Sequence, residues 1–265
     1  EALHVKPYGA VGQVEPVLCN VRDEASVRAA MAGADAVVNC VGTFDRGGKN
    51  NFTAVQAEAP GRIARLAAEA GVESLVHLSA IGADEEGASL YAQSKGAGEA
   101  AVLAAFPTAM ILRPSVIFGT EDQFFNRFAG MARLSPILPA ICGDSLFQPV
   151  YVRDVADAVL AALQSGDARG RTFELGGPDV LSFTAILQMI SDLTGLDRSV
   201  VPLSDFTSGL LAKMGDISPF MPMNSDQLAM LKKGNICAAG MPGLKELGVT
   251  PTPLAGFIPE MMMRF

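Results

Sequence analysis

Uninterrupted apolar runs alternate along the chain with stretches in which apolar residues recur at helical spacing. A run that is apolar at nearly every position is typical of a strand covered on both faces of a parallel sheet. Such strands alternating with helices predict an α/β fold with a doubly wound, right-handed and mostly parallel sheet. The predicted strands cover residues 15–19, 36–42, 74–79 and 108–113, and residues 172–178 are predicted to form a strand and a turn.

Helical spacing and capping residues place the first two helices. Asp23 or Ser26 is the expected cap of a short helix over residues 25–31. From Asn51 the apolar residues follow a helical period up to Gly71, where the helix ends. The pair Pro60-Gly61 interrupts this stretch, and an interior proline costs about 3 kcal/mol, so we expect a kink or two abutting helices there.

Further helices are predicted downstream. Asp154 is expected to cap a helix that follows a short strand beginning near Gln148. Asn224 or Ser225 is expected to cap another. The remaining predicted helices cover residues 91–105, 121–134, 183–193 and about 206–214, and the helix after Asn224 reaches residue 233.

The element pattern suggests two interleaved domains. Residues 1–119 with 148–167 form the predicted nucleotide-binding core, and residues 120–147 with 168–265 form a smaller C-terminal lobe for substrate or partner. Beyond Val200 proline and methionine become frequent. Methionine adapts to irregular surfaces, which suits either a binding face or gap-filling inside this lobe.

Composition excludes several classes of function. The chain of 265 residues is 49% hydrophobic with a net charge of −8, and phosphate contacts need a basic face, so nucleic acid is not an expected partner. The four cysteines form no CxxC motif, which predicts reduced thiols and no metal site. No apolar run reaches the ~18 residues that span a bilayer, and residues 1–6 show no signal-peptide pattern.

Residues 1–14 contain Gly9-Ala-Val-Gly12, which we interpret as a turn. A dinucleotide fingerprint needs GxGxxG between a strand and a helix. We therefore expect that an N-terminal βα unit with its Gly-rich loop is absent from this chain and that a segment of roughly 30–60 residues precedes it.

The most informative group is Ser79, Tyr91 and Lys95. Tyr91 and Lys95 are four residues apart and share one face of a helix. A free tyrosine titrates near ~10, and a fixed positive neighbour is expected to lower that pKa. Tyr91 would then exchange a proton with a substrate hydroxyl or carbonyl, while Ser79 at a strand end binds the same oxygen. A surface Tyr–Lys pair is the alternative.

A serine followed twelve residues later by Tyr-x-x-x-Lys resembles the short-chain dehydrogenase/reductase superfamily. Arg113-Pro-Ser-Val-Ile-Phe-Gly119 resembles a signature of its extended and atypical members. The resemblance implies an NADP or NAD cofactor and catalytic roles for Ser79, Tyr91 and Lys95. The implied cofactor contacts are these three residues together with Asn20, Val21, Asn39, Cys40, Val41, Gly42, Pro114, Ser115, Val116 and Ile117.

Blocks along nearly the whole chain resemble one atypical branch, the nucleotide-binding accessory subunit of respiratory complex I and its bacterial relatives. Among them are the blocks at residues 148–155, 217–220 and 242–254 and the Met-Arg-Phe ending. This resemblance implies a structural dinucleotide and attachment to other complex I subunits. The implied location is the cytoplasm, or peripheral attachment to the inner face of the cytoplasmic or mitochondrial inner membrane.

Two further functions remain open. The complete Ser79, Tyr91 and Lys95 set suits an active oxidoreductase or epimerase on a small carbonyl or sugar-nucleotide substrate. A redox sensor that binds nucleotide and a protein partner without turnover is the third hypothesis.

Overall fold

The computed structural model describes residues 5, 7–216, 223–263 and 265. Its main sheet has four parallel strands in the order β1-β2-β3-β8. Helices cover both faces of this sheet, so the doubly wound α/β prediction is confirmed. The ten strands are β1 Ala36–Asn39, β2 Ser74–Leu78, β3 Met110–Pro114, β4 Ile117–Phe118, β5 Ile137–Ala140, β6 Leu146–Phe147, β7 Val150–Tyr151, β8 Thr172–Leu175, β9 Leu181–Ser182 and β10 Ser199–Pro202 within the described residues.

The helices agree closely with the periodicity of the sequence. A π-helical segment, Thr53–Glu58, precedes α2, and Pro60 lies in the first turn of α2, so the prediction of abutting helices is confirmed. The helices of the described residues, apart from 3-10 turns, are α1 Glu24–Met31, α2 Ala59–Glu69, α3 Leu90–Ala105, α4 Phe125–Leu134, α5 Val152–Gln164, α6 Phe183–Thr194, α7 Asp205–Gly215, α8 Ser225–Lys233 and α9 Ile258–Met262.

Alternate residues of the strands enter two separate cores. On β2, Leu75 packs with α1, α2 and α3 on one face, while Val76 packs with α5 on the other. Both side chains are at most 1% exposed. The continuous apolar runs of the sequence follow from this burial on both faces.

The C-terminal lobe has its own aromatic core. Phe118, Phe125 and Phe183 are almost fully buried together with Met261 and Met262. Phe124, just before α4, and Phe128 on α4 also pack here. Buried Met261 and Met262 favour gap-filling for the end of the chain, whereas Met214 and Met263 are exposed.

Two predictions of local structure are wrong. Residues 15–19 are not a strand, and Val17 and Leu18 are mostly exposed, because within the described residues no strand edge pairs with them. Asp154 does not cap α5, whose N-cap is Tyr151. Its buried carboxylate instead accepts hydrogen bonds from the Thr252 N–H at 2.6 Å and the Thr252 hydroxyl at 2.8 Å, which fixes the C-terminal segment to α5.

Other predicted features are confirmed or lie outside the described residues. Residues 11–13 form a turn, Asp23 caps α1, and Asn224 caps α8. The block at residues 217–220 and position 264 of the chain ending lie outside the described part. No helix within that part combines the length and the apolar character that crossing a bilayer requires.

Candidate functional site

The predicted site residues lie where the parallel strands end. Asn39 closes β1, Ser79 follows β2, and Ser115 follows β3. Because the three strands are parallel and adjacent, these ends share the carboxyl edge of the sheet. The Ile81 N–H donates to the Pro114 carbonyl at 3.1 Å, which continues the pairing beyond β2 and β3. Ligands of open α/β sheets bind at this edge.

Helix α3 places Tyr91 and Lys95 over the same edge. Ser89 caps the helix by accepting the Ala92 N–H at 3.0 Å, so Tyr91 falls in its first turn. The Lys95 Nζ lies 6.0 Å from the centre of the Tyr91 ring and donates to the Leu78 carbonyl at 3.3 Å, next to Ser79. A side chain at Gly42 would come within 3.9 Å of the Lys95 Nζ. The structure therefore brings Gly42, Ser79, Tyr91 and Lys95 into one region.

The Ser79 hydroxyl is buried and has no hydrogen-bond partner among the described residues. An unpartnered buried hydroxyl costs free energy, so the position suits a polar group supplied by a ligand. Lys95 is also buried, and desolvation lowers its pKa to about 8 while the nearby Glu99 opposes that shift.

The expected lowering of the Tyr91 pKa is wrong. Burial raises the Tyr91 pKa to about 12, because the low-dielectric surroundings penalise phenolate. Phe44 stacks on the Tyr91 ring at a centroid distance of 5.4 Å and an interplanar angle of 6°, and Phe52 meets it edge-on. The phenol is therefore protonated at neutral pH and is placed to donate a proton rather than to accept one.

A second part of the predicted site is a cavity of about 280 Å³ beside β1. Val21, Asn39 and Val41 line it, and most of the remaining lining is apolar side chains of α1 and β1. Asn20 does not line this cavity, and its Oδ1 accepts a hydrogen bond from the Arg22 N–H. Cys40 is exposed to solvent beside this cavity, although its thiol is partly desolvated, and desolvation raises its pKa.

His77 on β2 is a packed, almost fully buried histidine beside Asn39. Its Nδ1 lies 3.1 Å from the Asn39 Nδ2, and the Asn39 Oδ1 accepts the Val41 N–H. The amide nitrogen of Asn39 therefore donates to Nδ1, which places the ring proton on Nε2. Nε2 is buried without a partner among the described residues, and desolvation lowers the His77 pKa to about 3.

The third part of the site is the segment Pro114, Ser115, Val116 and Ile117. The Asn235 Oδ1 accepts the Ser115 hydroxyl at 2.6 Å and the Val116 N–H at 2.8 Å. Sequence reasoning did not single out Asn235, Asp226 or Phe44. Each meets the site through a contact distant in sequence, and no local motif marks it.

The chain is similar to known proteins in both sequence and fold. The family described as "RmlD substrate binding domain" matches residues 8–209. Subunit 9 of the NADH dehydrogenase [ubiquinone] 1 alpha subcomplex, mitochondrial, from Mus musculus is 33% identical over 256 residues, covering 96% of this chain and 68% of the mouse protein. The Arabidopsis thaliana protein of the same name is 32% identical, covering 99% of this chain and 68% of its own length.

Among solved structures, DesIV from Streptomyces venezuelae, a dTDP-glucose 4,6-dehydratase with NAD and TYD bound, superimposes with a TM-score of 0.75. The superposition covers 97% of this chain and 81% of the DesIV chain. Because the two sequences are only 17% identical, this similarity supports the fold alone. The chain therefore belongs to the atypical short-chain dehydrogenase/reductase family, in the branch that contains subunit 9 of the NADH dehydrogenase 1 alpha subcomplex.

Proposed function

We propose that this protein is a NAD(P)(H)-binding accessory subunit of NADH:ubiquinone oxidoreductase, in which the dinucleotide is a structural group. The observation that carries the proposal is the 33% identity to the mouse complex I subunit over 96% of this chain. A similarity that runs through both the core and the C-terminal lobe favours a shared role over a shared fold alone.

The residues at the sheet edge fit the nicotinamide half of NADP or NAD. The Lys95 ammonium and the unpartnered Ser79 hydroxyl would bind ribose and carboxamide oxygens, and Ser115 and Val116 would border the ring. The cavity bordered by Val21, Asn39 and Val41 suits the apolar face of an adenine. When bound, the nicotinamide supplies a hydride donor or acceptor.

The surroundings of Tyr91 favour a structural dinucleotide over turnover. A tyrosine with a pKa raised to about 12 holds almost no phenolate at neutral pH, so it is seldom available as a general base, although its phenol can still donate a proton; catalytic efficiency is greatest when the pKa lies near the operating pH. Phe44 covers one face of the ring. Arg46, two residues later, pairs with Asp216 at 3.0 Å and so connects this loop to the C-terminal lobe.

The proposed location is peripheral, on the matrix or cytoplasmic side of the membrane that carries the respiratory complex. The named mouse and Arabidopsis relatives are mitochondrial proteins. On α7, Phe206, Leu210 and Met214 recur every fourth residue and are each about half exposed or more, which suits contact with another subunit.

Purification of the intact respiratory complex from membranes of the source organism tests the proposal. We expect this protein at one copy per complex, with NADPH or NADH released stoichiometrically on denaturation. A complex that is fully active and lacks the protein contradicts the proposal.

A working oxidoreductase or epimerase on a carbonyl or sugar-nucleotide substrate is the second candidate. It is favoured by the convergence of Ser79, Tyr91 and Lys95 in one region. Dinucleotide consumption with a panel of such substrates should then be abolished by Tyr91→Phe. Turnover that is the same in wild type and Y91F excludes this candidate, and dinucleotide binding without any turnover favours a sensor or a structural role.

A further inference from the structure

Helix α8 of the C-terminal lobe contacts two separate parts of the candidate site through its two ends. Its first turn meets the start of α3, which carries Tyr91, and the residues after its last turn meet the segment that follows β3. Neither contact is predicted by a motif, and neither belongs to the Ser79, Tyr91 and Lys95 group.

At the first end, Asp226 fixes the start of α3. Its Oδ1 accepts the Leu90 N–H at 2.5 Å, and Leu90 directly precedes Tyr91. The Asp226 side chain is buried, with 8% of its surface exposed. A carboxylate at a helix N-terminus satisfies a free N–H group and interacts favourably with the helix dipole. Asp226 therefore holds the turn in which Tyr91 lies.

At the other end, Gly234 turns the chain toward the site. Its φ of +73° is accessible to glycine, and a side chain here would meet the Leu146 carbonyl at 2.9 Å. The turn brings the Asn235 backbone into contact with the strand β6 region, where its N–H donates to the Leu146 carbonyl at 2.7 Å. The Gln148 N–H donates in turn to the Asn235 carbonyl at 3.0 Å, so the Asn235 backbone is held on both sides.

The Asn235 Oδ1 is an acceptor shared by two donors. It receives the Ser115 hydroxyl and the Val116 N–H, and the Asn235 carbonyl accepts the same hydroxyl at 3.0 Å. The two bonds to Oδ1 use only the side-chain oxygen, so an aspartate of the same shape retains them. Leucine loses both and leaves the Ser115 hydroxyl with the Asn235 backbone carbonyl alone. This difference separates positioning by the oxygen from simple packing.

We propose that α8 is a positioning element of the dinucleotide site, in which Asp226 fixes the turn that carries Tyr91 and Asn235 fixes Ser115 and Val116. The C-terminal lobe then sets the spacing of the two segments between which the nicotinamide would lie. This inference rests on the proposed dinucleotide binding for its ligand part, while the positioning itself is a property of the protein alone.

Amide hydrogen exchange in the ligand-free, full-length protein tests the positioning. N235L should increase exchange at residues 115–118, and N235D should restore protection there. Lys232→Ala is the control, because Lys232 is half exposed on the same helix and its 3.7 Å contact with Asp205 lies away from the site. Exchange at residues 115–118 that N235L leaves unchanged overturns the inference.

Dissociation constants for NADPH, NADH and the nicotinamide-free ADP-ribose test the ligand part. N235L should raise the Kd of the preferred dinucleotide about tenfold, as expected for two lost hydrogen bonds, and change that of ADP-ribose less than twofold. N235D should stay within about twofold of wild type. Equal weakening of both ligands, or no rescue by N235D, overturns the inference.

Two further outcomes also decide the matter: a variant that does not fold, and a wild-type protein that binds no dinucleotide. If N235L does not fold, as judged by circular dichroism, D226L and D226N are tested in place of N235L and N235D. Asparagine at position 226 retains an acceptor for the Leu90 N–H, whereas leucine does not. The same exchange criterion then applies at residues 90–93. Wild-type protein that binds neither dinucleotide overturns the proposed function, whereas wild-type binding that the variants leave unchanged overturns the inference alone.

Discussion

The Lys95 Nζ lies 6.0 Å from the centre of the Tyr91 ring, and burial shifts the pKa values of the two groups in opposite directions. The pKa of Lys95 is lowered to about 8 and that of Tyr91 is raised to about 12. At pH 7 the lysine is therefore an ammonium and the tyrosine a phenol. Above pH 8 the lysine becomes neutral while the phenol remains protonated.

The first prediction concerns the pH dependence of dinucleotide binding. If the ammonium of Lys95 binds the ligand, affinity should fall about tenfold between pH 7 and pH 9, one unit above the Lys95 pKa. Equilibrium titrations of wild type and Lys95→Met at both pH values check this. K95M should bind weakly at both. A variant with the wild-type pH dependence contradicts the role of Lys95.

The second prediction concerns acid stability. His77 is buried neutral, and its pKa of about 3 lies below that of an unfolded histidine near ~6.5, so the unfolded chain binds more protons between these values. Stability contributed by the neutral ring should therefore fall as pH drops through 6.5. Between pH 7 and 5 the loss is about 2 kcal/mol.

Urea unfolding at pH 7 and pH 5 measures this loss. His77→Gln retains an acceptor for the Asn39 amide and does not titrate, so its free energy of unfolding should fall less than that of wild type over the same interval. An equal fall in both proteins contradicts the prediction.

The third prediction concerns the packing of α3. A side chain at Gly98 would overlap the Gln56 carbonyl in the π-helical segment, so Gly98→Ala must push these elements apart. Overpacking of this kind costs about 1–3 kcal/mol. Gly130 in α4 has open space around it, and Gly130→Ala should instead stabilise the protein by about 0.5–1 kcal/mol. Chemical denaturation measures the free energy of unfolding of both variants. A similar change in the two would refute the prediction.

The fourth prediction concerns the ion pairs beneath α3. Arg113 binds Glu99 through two hydrogen bonds of 2.9 and 2.7 Å and lies 3.6 Å from Glu174. Both carboxylates are buried, so Arg113→Met should destabilise the protein by about 3–5 kcal/mol. Arg65→Met, in an exposed network with Glu24 and Glu69, should have a much smaller effect on thermal unfolding. Equal losses would contradict the distinction.

Local features were accessible from the sequence because their causes are local. The caps at Asp23 and Asn224, the turn at Gly71 and the start of α3 depend on residues within one helical turn. The continuous apolar strands indicated a sheet covered on both faces, which gives the order of elements and the shared carboxyl edge.

Features that depend on distant partners were missed. A strand at residues 15–19 requires a neighbour that periodicity cannot supply, and Asp154 binds Thr252 across nearly a hundred residues. The sign of the Tyr91 pKa shift was wrong because burial of the ring, against which Phe44 and Phe52 pack, raises the pKa. The spacing of residues in the sequence indicates which side chains are neighbours on one helix. It does not indicate how strongly a side chain is shielded from water.

The most direct measurement is the structure of the full-length protein with NADPH or NADH. The account predicts a dinucleotide across the carboxyl edge of the sheet, with the nicotinamide between Tyr91 and the segment of Ser115 and Val116, and with the Ser79 hydroxyl and the Lys95 ammonium bonded to the ligand. A dinucleotide bound elsewhere would contradict it. So would a saturated protein in which the Ser79 hydroxyl stays without a partner and the Lys95 Nζ donates only to the Leu78 carbonyl.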